Sequence, residues 1–321
     1  MQVFDKHFLT PKVAWQPPIP VWLPLAKFKA LNSAGTTAHR ICSGPGGWIE
    51  RLGDDTLVCY KSEPDRDELV RELADWSSQA DWYPVRTFGK YIPKQNEDRI
   101  SPTLLAGDAT LPLNTVVTEA DTRYALDFAA GYSHGLFLDQ RANRALVRRV
   151  KPKRLLNTFA YTCSFSVAAA LAGAETVSVD LSKKSLDRGR ENFALNDIDT
   201  NAGHRFLADD VLEVLPRLAR RGERFDTIIL DPPTFSRGNQ GRRWQVEEDL
   251  EKLIEAALDL TTPEARILVS TNCTRLNVAA LEQIARFCVK QRSRGCDYLR
   301  EPELPDFPPT HAASTLWLRL R

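Results

Sequence analysis

The sequence predicts an α/β protein: a Rossmann-like, mostly parallel sheet over 141–321, preceded by a small α+β domain over 31–140 and a Pro/Trp-rich arm over 1–30. Three observations carry this prediction. From residue 154 onward, apolar runs alternate with amphipathic stretches at a period of about 25 residues, the spacing of strand–helix–strand crossovers. The run Phe225-Asp-Thr-Ile-Ile-Leu-Asp231 is apolar at three consecutive positions, as in a strand buried on both faces. Polar side chains close four successive strands (Asn157, Asp180, Asp209 and Asp231) at the edge where an open α/β sheet binds its ligands.

Residues 1–30, with Trp15-Gln-Pro-Pro-Ile-Pro-Val-Trp-Leu-Pro24, read as an extended arm, because proline blocks a helix interior. In the small domain Gly44-Pro-Gly-Gly47 is a turn, and Trp48 to Tyr60 forms a hairpin turning at Gly53-Asp54-Asp55. Leu69, Val70, Leu73 and Trp76 recur at spacings of three and four, predicting a helix over 65–78. Val85 to Phe88 and Thr115 to Glu119 predict further strands. This domain has no catalytic motif and reads as one that presents a substrate. Leu136-Phe-Leu138 then ends in the polar tip Asp139-Gln140-Arg141, which equally suits the cap of a helix over 140–150. Arg141 to Arg154 holds seven basic residues and no acidic one, a pattern shared by solvated helix faces and phosphate-facing patches.

In the α/β region Arg154 to Asn157 is the first strand, followed by the loop Thr158 to Ser164 and an alanine-rich helix closed by Gly173. The second strand, Glu175 to Asp180, precedes a helix that Ser182 can cap. The third ends in Asp209-Asp210, before a helix over 211–221. After Asp231, Pro232 and Pro233 remove two backbone donors and force an extended turn. That turn suits either a plain strand exit with an aspartate cap or a grip on a flat base beside Phe235. A helix over 245–260, a strand over 266–270, a helix over 277–290 and a final hairpin complete the chain.

The composition, 43% hydrophobic and 26% charged, is that of a soluble globular protein. No run approaches the ~18 consecutive apolar residues of a membrane span, and Met1-Gln-Val-Phe-Asp-Lys does not resemble a secretory signal. Six cysteines lie far apart with no zinc spacing, which predicts reduced thiols, a cytoplasmic protein and no structural metal. The net charge of +1 neither announces nor excludes a nucleic-acid partner.

The ordered carboxylates imply a nucleoside-containing cofactor. Asp180 lies 23 residues past Asn157, about where a Rossmann-type domain places the acceptor of ribose hydroxyls. A dinucleotide would want Gly-x-Gly-x-x-Gly after the first strand, but Asn157-Thr-Phe-Ala-Tyr-Thr-Cys-Ser164 has no glycine. S-adenosyl-L-methionine has no phosphate, and its cationic sulfonium and ammonium tolerate an acidic pocket.

Gly135-Leu-Phe-Leu-Asp-Gln-Arg141, Leu156-Asn-Thr-Phe-Ala-Tyr-Thr162, Val179-Asp-Leu-Ser182, Glu191-Asn-Phe-Ala-Leu-Asn196 and Asp231-Pro-Pro-Thr-Phe235 occur in this order. As a set they resemble the class I S-adenosylmethionine-dependent methyltransferases of 23S rRNA, the group of cytosine methyltransferase I and the guanine-N7 methyltransferase. The resemblance covers about residues 35–321. It implies a seven-stranded methyltransferase domain, with RNA bound between it and the small domain. It further implies that Asp180 holds the ribose hydroxyls beside Leu181, and that Asp209 holds the adenine amine with Asp210 beside the ring. Asn157, Phe159 and Tyr161 would line the methionine end. Asp231 and Pro232 would stand between cofactor and base, and Gln140 and Arg141 would belong to a loop closing over the site. RNA contacts would come from Arg141, Pro233, Phe235, Arg237, Arg242 and Arg243, the arginines after the turn flanking Gly238 and Gly241 in a mobile loop. No feature of the sequence decides the oligomeric state, a homodimer being one arrangement it allows.

Three departures from the family pattern stand out. Cys163 occupies a position where the family often has glycine, which would tighten the methionine pocket. The PUA-like RNA-binding domain of cytosine methyltransferase I is not recognisable in residues 1–30. Asp231-Pro-Pro-Thr-Phe-Ser236 matches the guanine-N7 enzyme, whereas Ser270-Thr-Asn-Cys-Thr-Arg-Leu276 places Cys273 on the cytosine enzymes' nucleophile. Carbon 5 of cytosine becomes nucleophilic only after a thiolate adds at carbon 6, and Arg275 could favour that thiolate. The reading is therefore an rRNA methyltransferase making 5-methylcytosine with Cys273 and Asp231 as catalytic residues. Guanine-N7 or another base-nitrogen methylation, and a non-catalytic cofactor- and RNA-binding protein, are the alternatives.

Overall fold

The computed structural model describes residues 19–94, 97–237, 243–308 and 312–321. The chain divides into two compact units, one of residues 19–141 with 303–308 and one of residues 142–302 with 312–321. Residues 303–308 thus leave the second stretch of chain to join the first unit. Asp306 is the physical reason, because its carboxylate accepts from the Arg40 backbone N–H at 3.0 Å and pairs with Arg141.

The first unit opens with β1 (Val21–Trp22) and α1 (Leu25–Ser33). Of the extended arm expected over 1–30, residues 1–18 lie outside the described residues, and from Leu25 the expectation is corrected: the helix starts directly after Pro24, which is its N-cap, and buries Phe28. Proline is excluded from a helix interior but suits its first turn, so the prolines end where the helix begins. There follow β2 (Ala38–Gly44), β3 (Gly47–Leu52), β4 (Asp55–Tyr60), α2 (Glu63–Ala80), β5 (Arg86–Tyr91) and β6 (Thr103–Gly107). These strands form a six-stranded sheet in chain order. Only β4 and β5 pair in parallel, since α2 crosses over between them. Ser62 caps α2 by accepting from the Asp65 N–H. Leu69, Leu73 and Trp76 bury one face of that helix with Ile49 and Val58 of the sheet. Gly47 cannot carry a side chain, because a Cβ there would meet the Cys59 carbonyl oxygen at 1.9 Å. A hairpin of β7 (Asn114–Glu119) and β8 (Thr122–Asp127) completes the unit.

The second unit contains α3 (Arg141–Val150) from Ala142 onward, β9 (Arg154–Thr158), α4 (Ser164–Ala170), β10 (Glu175–Asp180), α5 (Lys183–Leu195), β11 (His204–Ala208) and α6 (Val211–Arg220). It continues with β12 (Phe225–Leu230), the short hairpin β13 (Phe235–Arg237) and β14 (Arg243–Gln245), α7 (Val246–Leu258), β15 (Thr261–Thr271), α8 (Val278–Gln291), β16 (Cys296–Leu299) and β17 (Ser314–Leu320). The seven-stranded sheet runs β11-β10-β9-β12-β15-β17-β16, parallel from β11 to β15, with β17 antiparallel. The order reverses between β9 and β12, so the crevice for a ligand opens beyond their carboxyl ends. Ile228, Ile229 and Leu230 are wholly buried, as their consecutive apolar run predicts. Asp226 pins the start of β9, accepting from the Lys153 N–H at 2.8 Å. No described helix is long and apolar enough to cross a membrane.

Candidate active site

β9 ends one residue later than its sequence pattern suggests. Thr158 is the tip, and its hydroxyl donates to the Ile229 carbonyl at 2.7 Å. Asn157, one position back on the alternating strand, therefore faces inward. It is 2% exposed, and its amide donates to Ser166 of α4 at 3.0 Å, which in turn bonds Ser178 of β10 at 2.8 Å. The loop after β9 turns without glycine because Phe159, Tyr161 and Cys163 take positive φ values of 52°, 48° and 60°. Each such position costs an L-residue about 1–2 kcal/mol, and specific bonds offset that strain. Ala160 N–H reaches the Val179 carbonyl at 3.0 Å, and Asn192 donates to the Thr162 carbonyl at 2.9 Å. Cys163 is buried with its sulfur against Gly189 of α5, and burial pushes its thiol pKa up to about 12.

Asp180 closes β10. One carboxylate oxygen accepts from Tyr161 N–H and the other from Ser182 N–H, both at 2.8 Å. Burial raises its pKa above the ordinary aspartate value, and the two N–H bonds offset part of that rise. Leu181, next in the chain, is exposed. Asp209 follows β11; it accepts from Asp210 N–H at 2.8 Å and pairs with Arg217 of α6. The Arg217 hydrogen bond holds its pKa below the ordinary value. Asp210 is the N-cap of α6, accepting from Leu212 N–H at 2.9 Å.

Asp231 and the two prolines leave β12, with Pro232 buried and Pro233 exposed. Sequence reasoning missed the residue that fixes this turn. Trp244 of β14 donates its indole N–H to the Pro233 carbonyl at 2.8 Å, and its ring lies 5.6 Å from that of Phe159. The available signal was a lone tryptophan just before an amphipathic helix, which identifies a buried ring but not its partner. Phe235 is 48% exposed with the Arg243 guanidinium 5.5 Å over its ring. Arg237 pairs with Arg243 in the strand register. Gly238, Gly241 and Arg242 lie outside the described residues.

Cys273 sits two residues past β15, 3% exposed, among Leu276, Leu281 and other core side chains. Its N–H donates to the Thr271 hydroxyl at 3.1 Å. Arg275 does not support it: the guanidinium pairs with Glu247 at 2.5 Å, drawn by the acidic first turn of α7. Gln140 and Arg141 belong to the first unit. Gln140 is buried in a 3-10 turn, Leu138–Gln140, and Arg141 donates to the Ala38 carbonyl at 3.0 Å besides pairing with Asp306. The basic run 141–154 is not one open patch either. Arg144 is buried near Phe165, Arg149 pairs with Glu301, and Arg154 bridges Glu175 and Glu223.

The strand ends thus gather carboxylate acceptors, and the Tyr161 N–H of the loop after β9 is engaged by Asp180. A diphosphate fits this set poorly. A nucleoside with a cationic tail fits it, because each Asp180 oxygen keeps a second lone pair for a hydroxyl.

The comparisons agree. Residues 52–319 match the model of the S-adenosylmethionine-dependent methyltransferases. YwbD of Bacillus subtilis (strain 168), an inferred ribosomal RNA large subunit methyltransferase, is 36% identical over 88% of this chain and 72% of its own. Ribosomal RNA large subunit methyltransferase I of Erwinia tasmaniensis is 34% identical over 62% of this chain, which spans 52% of that protein. Among solved structures, the methyltransferase SMU.776 complexed with SAH is 26% identical, with a TM-score of 0.78 over 92% of this chain and 80% of that one. The fold is shared with the SAM-dependent methyltransferase of Agrobacterium tumefaciens, at 22% identity, a TM-score of 0.68 and 99% coverage of both chains. The chain belongs to the S-adenosylmethionine-dependent methyltransferase family and is an enzyme that uses that cofactor.

Proposed function

We propose that this enzyme methylates a base of large-subunit ribosomal RNA, at carbon 5 of a cytosine, with Cys273 as the attacking thiol. The observation that carries the mechanism is the placement of Cys273. It follows β15, whose Val269 pairs with Leu230, the residue before Asp231, and this register supports bringing the two segments to the same sheet edge. The names of the relatives support the substrate class. Sγ, as a thiolate, would bond to carbon 6 and send an electron pair to carbon 5, which takes the methyl group; loss of the carbon-5 proton to water would then expel Sγ from carbon 6 and restore the ring. Asp231 would hold the base at N3, while Phe235, Pro233 and Arg243 meet the flanking RNA. S-adenosylmethionine supplies the methyl group as an electrophile when bound. Asp180 and Leu181 would hold its ribose end, and Asp209 with Asp210 its adenine. Phe159, Tyr161 and Pro232 would line the remainder, with Asn157 acting from beneath through Ser166. The first unit would present the RNA. All six cysteines are free, in keeping with the reducing cytoplasm.

Burial of Cys273 and the engagement of Arg275 by Glu247 favour a second reading, methylation at guanine N7. That nitrogen already carries a lone pair and needs only positioning. One measurement separates the two: methyl transfer from labelled cofactor to rRNA of a strain lacking this protein, followed by nucleoside mass spectrometry. Label in 5-methylcytidine supports the first reading, and label in 7-methylguanosine replaces it. Absence of label from rRNA, with cofactor binding intact, rejects both.

A further inference from the structure

β9, β10, β11 and β12 are parallel, so their first residues share one edge of the seven-stranded sheet, opposite the edge that holds Asp180 and Asp231. α3 and α6 end at that far edge, because they lead directly into β9 and β12. Lys151 and Lys153, the last lysines of the basic run after Arg141, follow α3. Arg220 and Arg221 close α6, and Arg224 precedes β12. All five side chains are exposed, and none of them makes an ion pair among the described residues. Hydrogen bonds join the segments into one surface. The Arg154 guanidinium donates to the Arg224 carbonyl at 2.9 Å and lies 4.9 Å over the Phe225 ring. The Lys153 and Arg154 N–H groups both donate to Asp226, at 2.8 and 3.4 Å. Gly222 and Glu223 N–H return to the Ala219 and Leu218 carbonyls at 3.0 and 3.1 Å, which holds 221–223 against the end of α6.

The carboxylates of this edge are engaged by other groups. Glu223 pairs with Arg154 at 3.1 Å and with Arg205 at 2.8 Å, Glu175 lies 3.4 Å from Arg154, and Asp226 takes the two backbone N–H groups. Lys151, Lys153, Arg154, Arg205, Arg220, Arg221 and Arg224 are thus seven cations against three carboxylates, a surplus of four. Toward β15 the surface turns neutral: Glu264 follows Pro263, whose carbonyl accepts from Arg294. Toward β11 it ends at His204, beside Asp199. Helix ends explain only part of the surplus. A helix C-terminus presents about half a negative charge, so α3 and α6 together offset about one of the four. The net charge of the whole chain is only +1, so the positive charge is sorted to this place.

Exposed arginines and lysines spread over three chain segments match an anionic polymer, since guanidinium forks and ammonium groups bond phosphate oxygens. We infer that this edge binds the phosphate backbone of the RNA substrate at Lys151, Lys153, Arg220, Arg221 and Arg224. The inference rests on the rRNA reading above and extends it to a part of the RNA away from the methylated base. β9 is five residues long, which puts the cations about 17 Å from the strand ends that carry Asp180 and Asp231. That distance equals about five steps of a nucleic-acid duplex. The contact therefore falls on flanking RNA and contributes affinity without touching the reacting atoms.

The test is equilibrium binding and steady-state methyl transfer by the full chain on 23S rRNA of a strain lacking this protein, over a range of salt. The triple variant Arg220→Gln, Arg221→Gln, Arg224→Gln weakens binding at least about tenfold and lowers the salt slope by about 2 to 3, as three lost phosphate contacts require. The double variant Lys151→Gln, Lys153→Gln lowers the slope by about 1.5. In both, KM for RNA rises with Kd while kcat at saturating RNA holds. The triple variant with lysine in place of each arginine keeps the wild-type slope. S-adenosylhomocysteine affinity, read on the same samples, stays at the wild-type value. If both glutamine variants bind RNA with wild-type affinity and slope, the edge is merely solvated and the inference falls, while the rRNA reading stands. A fall in kcat with unchanged KM also overturns it, since the arginines would then act through the fold of the domain. If the wild type binds S-adenosylhomocysteine but not rRNA, the rRNA reading fails together with this one.

Discussion

Cys163 and Gly189 share one space. A Cβ on Gly189 would come 2.5 Å from Cys163 Sγ, so the glycine in the middle of α5 admits the thiol of the loop after β9. A mid-helix glycine costs about 1 kcal/mol against alanine, which marks this contact as one the fold keeps at a cost. The thiol is directed at α5, so Cys163 acts through helix packing.

Gly189→Ala should destabilise the protein by about 1–3 kcal/mol through overpacking. Adding Cys163→Gly should recover most of that loss, because it removes the sulfur and suits the φ of 60°. Urea unfolding of the two single variants and the double variant measures the coupling. Additive losses would show that the two residues do not compete for space.

Asp180 titrates above an ordinary aspartate because burial disfavours its charge. Its ionised form is the better acceptor for ribose hydroxyls. As pH falls from neutral, S-adenosylhomocysteine affinity should decline before an exposed aspartate would protonate. Asp180→Asn should bind weakly and lack that dependence. The sign for stability is opposite. A raised folded pKa lets the apoprotein gain stability as pH falls through it, whereas Asp209, held low by Arg217, contributes stability that is lost on further acidification. Calorimetric titration from about pH 4.5 to 8 starts just above the ordinary carboxylate values; a flat wild-type affinity profile would remove Asp180 from the cofactor site.

Cys273→Ala should retain cofactor binding and drop turnover at least about a thousandfold, as expected when a nucleophile is removed. Single-turnover methyl transfer with matched cofactor titrations reads both quantities. Activity within a few-fold of wild type would transfer the reaction to a base nitrogen and leave Cys273 as a core residue.

Trp244→Phe keeps the ring near Phe159 but loses the hydrogen bond to the Pro233 carbonyl. The expected stability loss is about 0.5–1.5 kcal/mol. Since the freed turn carries Asp231 and Phe235, kcat should fall more than cofactor affinity does. Steady-state kinetics beside a thermal melt separate the effects, and a melt shift with unchanged kcat would confine Trp244 to packing.

Asp306→Ala should cost about 3–5 kcal/mol, the usual consequence of stranding a buried charge. The aspartate side chain is fully buried, pairs with Arg141 and also accepts from the Arg40 N–H. Chemical denaturation tests this; a loss below about 1 kcal/mol would mean that Arg141 finds water instead.

The parts of the fold that depend on local pattern were legible in the sequence by itself. Strand–helix alternation after residue 154, the hairpin around Gly53, the cap at Ser182 and the exit turn at Asp231 each follow from periodicity or from one residue's backbone preference. The cofactor class was legible for a related reason: an open sheet sends successive strand ends to one edge, so Asp180, Asp209 and Asp231 had to gather there. Partners far apart along the chain were decided by tertiary structure alone. Arg141 meets Asp306 across 165 positions, and Trp317 donates to Asn143 across 174. Arg275 turns to Glu247, and one residue of strand length makes Thr158 the tip of β9 and sends Asn157 inward. Periodicity shows which side chains are buried. The acceptor each buried donor meets depends on how separate elements pack, and no local rule carries that information.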